Sequence, residues 1–272
     1  MELSLSMWSV HRTVREQGWT VMDFLSFCSG EGIKRVELLN VFWQDLEQEL
    51  PQVLNYIRDN GITVVSYAVA NDFVHESAVE RSAALKQITE AFPTANVLGT
   101  SMIRVFSGNL SGSINYETAL DWIVDGLSEA ARQAELAGMV LGLENHGKLA
   151  GSGEQVQKII DRVGSPALRS TFDTGNFLLV GEHPTHALEV LLPLIAHVHV
   201  KDFYPDTNGR YTSLGGQAYE GIALGKGEVE VKKIVNRLRE HGYQGAFVLE
   251  YEGLGSEVQG ILDSFAYFNS IK

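Results

Sequence analysis

Cysteine is nearly absent: Cys28 stands alone, which excludes an internal disulfide and suits a reducing cytoplasm. Positive charge is also short. Lys and Arg number 21 against 34 Asp and Glu, a net charge of −13, and no basic cluster occurs anywhere. A protein that grips phosphate backbones shows a basic stripe, so no nucleic-acid partner is expected. Long apolar runs are missing too, since Glu189, Pro193 and His197 interrupt even the stretch from Ala187 to Val200. No membrane span is therefore expected. Met1 to Trp8 has no basic region followed by an apolar stretch, so no signal peptide is expected. Linkers and low-complexity segments are lacking as well, and residues 1–272 read as one domain.

What is present is a regular alternation of strand and helix patterns. Apolar residues at Leu46, Leu50, Val53, Leu54 and Ile57 have a helical period, and Gly61 follows where a C-cap belongs. The β-branched run from Ile62 to Val69 reads as a strand. A helix from Glu76 to Ala91 should stop at Phe92-Pro93, and another from Tyr116 to Ala137 at Gly138. Strands are expected at Leu3–Met7, Val36–Leu39, Ile62–Val69, Met102–Phe106, Val140–Glu144, Leu168–Asp173, Ala196–Val200 and Phe247–Glu250. Eight strand–helix pairs in this length make a (β/α)8 TIM barrel. One connection stands out. Residues 203–228 are polar and glycine-rich, and a loop of that length beside His199 is expected to act as a lid over substrate.

Four side chains that bear chemistry close apolar runs: Glu144, Asp173, His199 and Glu250. In a barrel, such strand ends converge on one mouth. Three oxygen donors and one nitrogen donor there suit a divalent metal such as Mg, Mn, Co or Zn. Taken singly, Glu144 could equally cap a helix and Asp173 could shape a tight turn. Their equivalent placement is what favours the site. His146 and Asn176 reach the same mouth and are candidates to bind substrate. Lys201 either pairs with a carboxylate or contacts substrate, and Arg104 either contacts substrate or salt-bridges to barrel carboxylates. His197 shares the face of His199 but lies a layer deeper, as a supporting residue or a second ligand. Glu37 closes an earlier strand-like run, and Glu252 reads as solvated rim. Trp8, Trp43, Tyr56 and Phe268 could supply an aromatic interface for a homo-oligomer.

The segments Leu143-Glu-Asn-His-Gly147, Asp173-Thr-Gly-Asn176, His197-Val-His-Val-Lys-Asp202, Gly225-Lys-Gly-Glu228 and Val248-Leu-Glu-Tyr-Glu252 resemble the xylose isomerase-like TIM-barrel superfamily, sugar phosphate isomerase/epimerase type. Ala70–Phe73 and Arg104–Gly108 are similar too, so the resemblance spans the chain. It implies a metal held by Glu144, Asp173, His199 and Glu250, with Glu144 and Glu250 also moving protons. The implied activity is isomerisation or epimerisation of a small ketose or related α-hydroxy-carbonyl compound, through carboxylate-mediated α-proton transfer and a metal-stabilised enediolate. A dehydratase of the inosose or dehydroshikimate type would use the same metal and the same proton removal. An apurinic-site endonuclease would need further histidines after the second and third strands, where Glu37–Asn40 and Ala68–Asp72 have none. A non-catalytic metal-binding barrel should have lost a ligand. Asn176 departs from ketose epimerases, which often carry His at that place.

Overall fold

In the computed structural model, which describes residues 2–110, 112 and 114–272, eight parallel strands close into a barrel. They are β1 (Leu3–Ser6), β2 (Arg35–Leu39), β3 (Thr63–Ala68), β4 (Met102–Val105), β5 (Val140–Glu144), β6 (Leu168–Asp173), β7 (Ile195–Val200) and β11 (Phe247–Leu249). The order round the barrel is β1-β11-β7-β6-β5-β4-β3-β2. β11 closes it, pairing with β7 through Val248 and His199, and with β1 through Val248 and Ser4. This is the (β/α)8 architecture that the sequence predicts.

Helices form where apolar period and capping agree. α3 (Leu46–Asn60) starts at Asp45, whose carboxylate accepts from the Gln48 amide, and ends at left-handed Gly61. α5 (Tyr116–Ala137) ends likewise at Gly138, and α6 (Gly153–Val163) opens with a reciprocal Ser152–Gln155 capping box. The remaining outer helices are α2 (Val21–Gly30), α4 (Ala78–Val97), α7 (Pro184–Leu191), α8 (Val231–Glu240) and α9 (Glu257–Ile271). Their apolar faces pack on the strands, with Phe24, Phe172, Phe247 and Phe268 fully buried.

Three expectations need correction. α4 does not stop at Pro93 but runs through it to Val97; burial of Ala91, Phe92, Thr94 and Ala95 holds the extra turn against the lost hydrogen bond. A short helix, α1 (His11–Gln17), follows β1 where none was expected. Residues 203–228 are no structureless loop. They contain most of a three-stranded antiparallel sheet, β8 (Asp202–Pro205), β10 (Ala218–Ile222) and β9 (Tyr211–Thr212), in the order β8-β10-β9. This small sheet rests on the barrel mouth. Gly221 bridges Gly253 just beyond β11, and a Cβ at Gly221 would lie 2.5 Å from the Glu252 carbonyl oxygen. Glycine is required for that approach. At the other end the Leu214 amide donates to the Leu179 carbonyl at 2.9 Å.

Of the four aromatic residues offered for an oligomer interface, Phe268 lies in the core, while Trp8, Trp43 and Tyr56 are half-buried. Phe268 is fully buried against Phe247, and Trp8 stacks on His11 at 4.7 Å. Among the described residues, no helix is long and apolar enough to cross a membrane.

Candidate metal centre and active site

Parallel strands place the residues at their C-terminal ends round one mouth, and that geometry brings Glu144, Asp173, His199 and Glu250 together. One donor atom from each lies within 4.8 Å of all the others, and all four side chains are buried. β6 and β7 pair Asp173 directly with His199. Glu144 ends β5, and Glu250 follows β11.

The individual contacts assign each donor a direction. His199 Nδ1 lies 3.4 Å from Glu144 Oε2 and 3.3 Å from Glu250 Oε1. Its Nε2 faces the other way, 3.1 Å from Glu37 Oε2. Asp173 uses Oδ1 to accept from the amides of Gly175 and Asn176, at 2.8 and 2.9 Å, which leaves Oδ2 pointing into the mouth. The sharp turn at Asp173 and its inward aim are thus one feature. Glu144 Oε2, Asp173 Oδ2 and His199 Nδ1 are buried atoms with no hydrogen-bond partner, met only by ion pairs of poor hydrogen-bond geometry. Buried polar atoms are rarely left so. Three oxygens and a nitrogen converging on one point fit a divalent cation, which would satisfy them together.

Behind the mouth lies a second layer. Glu37 Oε2 accepts from Ser66 Oγ at 2.7 Å and contacts Nε2 of His197 at 3.2 Å and of His199 at 3.1 Å. Oε2 is thus shared among three partners while the buried Oε1 has none among the described residues, and the trio braces His199 from behind the mouth. A carboxylate behind a ligating imidazole fixes its tautomer and raises its basicity. Glu37 is the residue that sequence reasoning left without a role. The signal was available, since a charged residue amid the apolar Val36-Glu-Leu-Leu39 must find a partner when buried.

The cations at the mouth are committed. Arg104 Nε lies 3.1 Å from Glu144 Oε2, and Nη1 donates to the Val69 carbonyl at 3.2 Å. The Arg104 guanidinium also sits over Phe106 at 4.0 Å, and Phe106 packs against His146. Lys201 Nζ reaches Asp173 at 3.2 Å, Glu250 at 3.0 Å and Glu252 at 2.9 Å. Asn176 Nδ2 donates to Glu144 Oε1 at 3.2 Å and to the Asn145 carbonyl at 3.0 Å. Glu252 is therefore not solvated rim: it is buried, accepts from Trp8 Nε1 at 3.1 Å, and accepts from the Tyr211 hydroxyl on the small sheet. The parity of the strand end predicts its direction, but only the overlying sheet explains its burial.

Electrostatics follow from this crowding. Burial resists ionisation of Glu144, yet His199, Arg104 and Lys201 hold its carboxyl down at about 2. Burial pushes Asp173 up to about 6, with Glu144 and Glu250 adding repulsion against the pull of Lys201. Burial likewise opposes a charged His199 and a charged Lys201, but their carboxylate neighbours raise both well above ordinary values. Lys201 thus stays an ammonium: it holds negative oxygen and is a poor proton donor.

A cavity of about 480 Å³ opens over these groups, lined by Glu144, His146, Asn176, Lys201 and Glu250 together with apolar Trp8 and Phe106. Two depressions of about 510 Å³ elsewhere, one beside Arg35 and Tyr243 and one beside α8, contain no comparable buried cluster.

The architecture agrees with known proteins. Inosose dehydratase of Bacillus thuringiensis (strain Al Hakam) is 30% identical over 149 residues, which cover 50% of this chain and 48% of that protein. The chain thus spans about half the length of the curated relatives it matches. Among solved structures, the probable 3-DHS dehydratase AsbF of Bacillus anthracis superposes with a TM-score of 0.77 at 20% identity, covering 99% of each chain. The IolI protein with a bound zinc atom gives 0.80 at 16% identity, over 100% of this chain and 98% of the other. The 3-keto-D-glucoside 4-epimerase YcjR of E. coli gives 0.77 at 16%, over 99% of each. At such identities the likeness of these structures concerns the fold. The family model for the xylose isomerase-like TIM barrel matches residues 25–271, and the chain belongs to that family.

Proposed function

We propose that this protein is a metal-dependent isomerase or epimerase of a small ketose or related α-hydroxy-carbonyl compound. Glu144, Asp173, His199 and Glu250 would hold the cation, with Mg, Mn, Co and Zn all compatible with the donor set. One observation carries the reading. Glu144 and Glu250 each bring a carboxylate oxygen within 3.4 Å of the same His199 nitrogen, so two potential proton carriers flank one point in the cavity. A bound divalent cation supplies Lewis-acid polarisation of a carbonyl and acidifies the neighbouring C–H.

The remaining work falls to side chains. Glu144, held ionised by Arg104 and His199, removes the α-proton as general base. Glu250 delivers a proton drawn from solvent to the other face of the reacting carbon, giving the epimer or isomer, and Glu144 releases the proton it took back to solvent. Lys201 keeps a fixed positive charge beside the developing oxyanion. Asn176, His146 and Arg104 orient hydroxyl groups, and Trp8 and Phe106 offer apolar surface to the carbon face of a sugar. Tyr211 and the small sheet cover the mouth and exclude water. The lone, buried Cys28 supports placement in a reducing cytoplasm.

Dehydration is the second reading, favoured by the 30% identity to inosose dehydratase. It shares proton removal by Glu144 and differs in losing a β-hydroxyl. The test uses metal-reconstituted protein in D₂O with ketoses, ketose phosphates, hydroxypyruvate and inososes, followed by mass spectrometry. Deuterium gain in substrate or isomer supports isomerase or epimerase chemistry, and water loss moves the assignment to dehydratase. Glu144→Gln should lower either rate by about 100-fold or more; a fully active variant sinks the assignment.

A further inference from the structure

Barrels of this architecture often bind phosphate with amide groups of the loops after the last two strands. Here both loops are closed to an anion. The amides of Gly225 and Gly227 turn inward to Asp202 Oδ2, at 2.9 and 3.0 Å, and the Val229 amide donates to Oδ1 at 3.0 Å. Asp202 is 1% exposed, and a Cβ on Gly227 would stand 2.2 Å from its Oδ1. The glycine nest is thus filled by the protein's own carboxylate, with no room for a second anion.

The loop after β11 is turned the opposite way for anion binding. The carbonyls of Gly253, Leu254 and Gly255 face outward to the Arg12 guanidinium, and the Ser256 hydroxyl already caps the start of α9. From the same loop, Glu252 lines the cavity beside Glu144 and Glu250, its oxygens accepting from Trp8 Nε1 and the Tyr211 hydroxyl and paired with Lys201. The two buried cations in the wall, Arg104 and Lys201, are held by carboxylates already. Arg15 completes the lining, but it is exposed at the rim with its guanidinium 5.5 Å above Trp8. An exposed charge of that kind gives little binding energy.

We infer that the substrate is an uncharged polyhydroxy-carbonyl compound, neither a phosphate ester nor a carboxylic acid, and that the filled Asp202 nest and Glu252 exclude the charged forms. This rests on the proton-transfer reading above and narrows it. The carbon face of a neutral ring suits Trp8 and Phe106, and its hydroxyls suit the carboxylates, which accept hydrogen bonds but repel anions.

The experiment compares matched sets: a free ketose and its phosphate, and an inosose and a ring keto acid. Deuterium exchange or turnover is followed at low and high salt. Like-charge contact in a buried site should make the neutral member better in kcat/KM by about 100-fold. Glu252→Gln should narrow that gap by about tenfold, since it removes one charge and keeps the shape. Equal or better processing of a phosphate or acid overturns the inference, and its loss in Arg15→Gln would then name Arg15 as the anchor. If no compound reacts, the proton-transfer reading fails, and a separate measurement still decides the anion question. Inorganic phosphate is titrated into the full chain with chelator present, followed by ³¹P line broadening. Saturable binding tighter than about 1 mM overturns the inference, and none up to about 10 mM supports it.

Discussion

Replacing Lys201 with Met tests the charge balance of the mouth directly. The ammonium contacts Asp173, Glu250 and Glu252, all within 3.2 Å and all buried. Methionine fills nearly the same volume, so little cavity is created and the lost charge dominates. Removing one partner from a buried ion cluster costs about 3–5 kcal/mol. For a chain of this size that corresponds to roughly 10 °C in Tm of the metal-free protein. The pH dependence carries the diagnosis. Asp173 is raised to about 6 with Lys201 in place, and without it the carboxyl rises further. A group whose pKa is raised by folding contributes stability below its unfolded value, near about 4, and loses it as pH climbs through the folded value. The deficit of the variant should therefore be small at about pH 5 and grow between about pH 6 and 8. Added Mn²⁺ or Zn²⁺ should recover more Tm in the variant than in the parent, because the freed carboxylates need a cation. Differential scanning calorimetry across pH, with and without metal, makes the comparison. A variant within about 2 °C of the parent at pH 8 would refute the reasoning.

Three further outcomes are expected. Glu37→Ala removes the brace behind His199 and should weaken metal binding by about 10–100-fold, read by chelator competition at alkaline pH, where protons no longer compete for His199. Unchanged affinity would free Glu37 of that role. Gly221→Val drives a side chain into the Glu252 carbonyl and should cost about 1–3 kcal/mol while raising KM as the small sheet lifts; an unchanged KM would mean that the sheet does not cover substrate. Exhaustive chelation should abolish proton exchange and lower Tm, the stability lost being about 2.7 kcal/mol where metal had stood at a hundredfold excess over Kd. A Tm indifferent to metal would argue against ligation by the four buried residues.

The legible parts of the chain are those where one local rule decides. α3 and α5 end where Gly61 and Gly138 stand, because only glycine enters the left-handed turn cheaply. The strand-end residues were legible because parallel strands converge, so sequence position alone implies spatial meeting. The missed features depend on partners distant in sequence. Nothing near Pro93 foretells the packing that carries α4 past it. α1, with Arg12, Thr13, Arg15, Glu16 and Gln17, lacks an apolar stripe and is held by Glu257, which accepts from the amides of Arg12 and Thr13 some 244 residues away. The strands of the small sheet lie in glycine-rich, polar sequence because they cover a mouth rather than fill a core. Glu252 was misjudged for the same reason: its three partners, Trp8, Lys201 and Tyr211, come from three separate segments.

The seam between β1, β11 and β7 also joins the closing of the barrel to its site. β11 is the last barrel strand to be synthesised, yet it sits between the first strand and the seventh. Without it the cylinder would be an open, curved sheet with two raw edges, and Glu250 would not reach the mouth. Three donors of the mouth come from β5, β6 and β7, and the fourth only from the segment that closes the ring. Closure of the ring and arrival of the fourth donor are therefore one event, so a variant in which β11 fails to dock should lose Glu250 from the mouth together with the barrel's last seam.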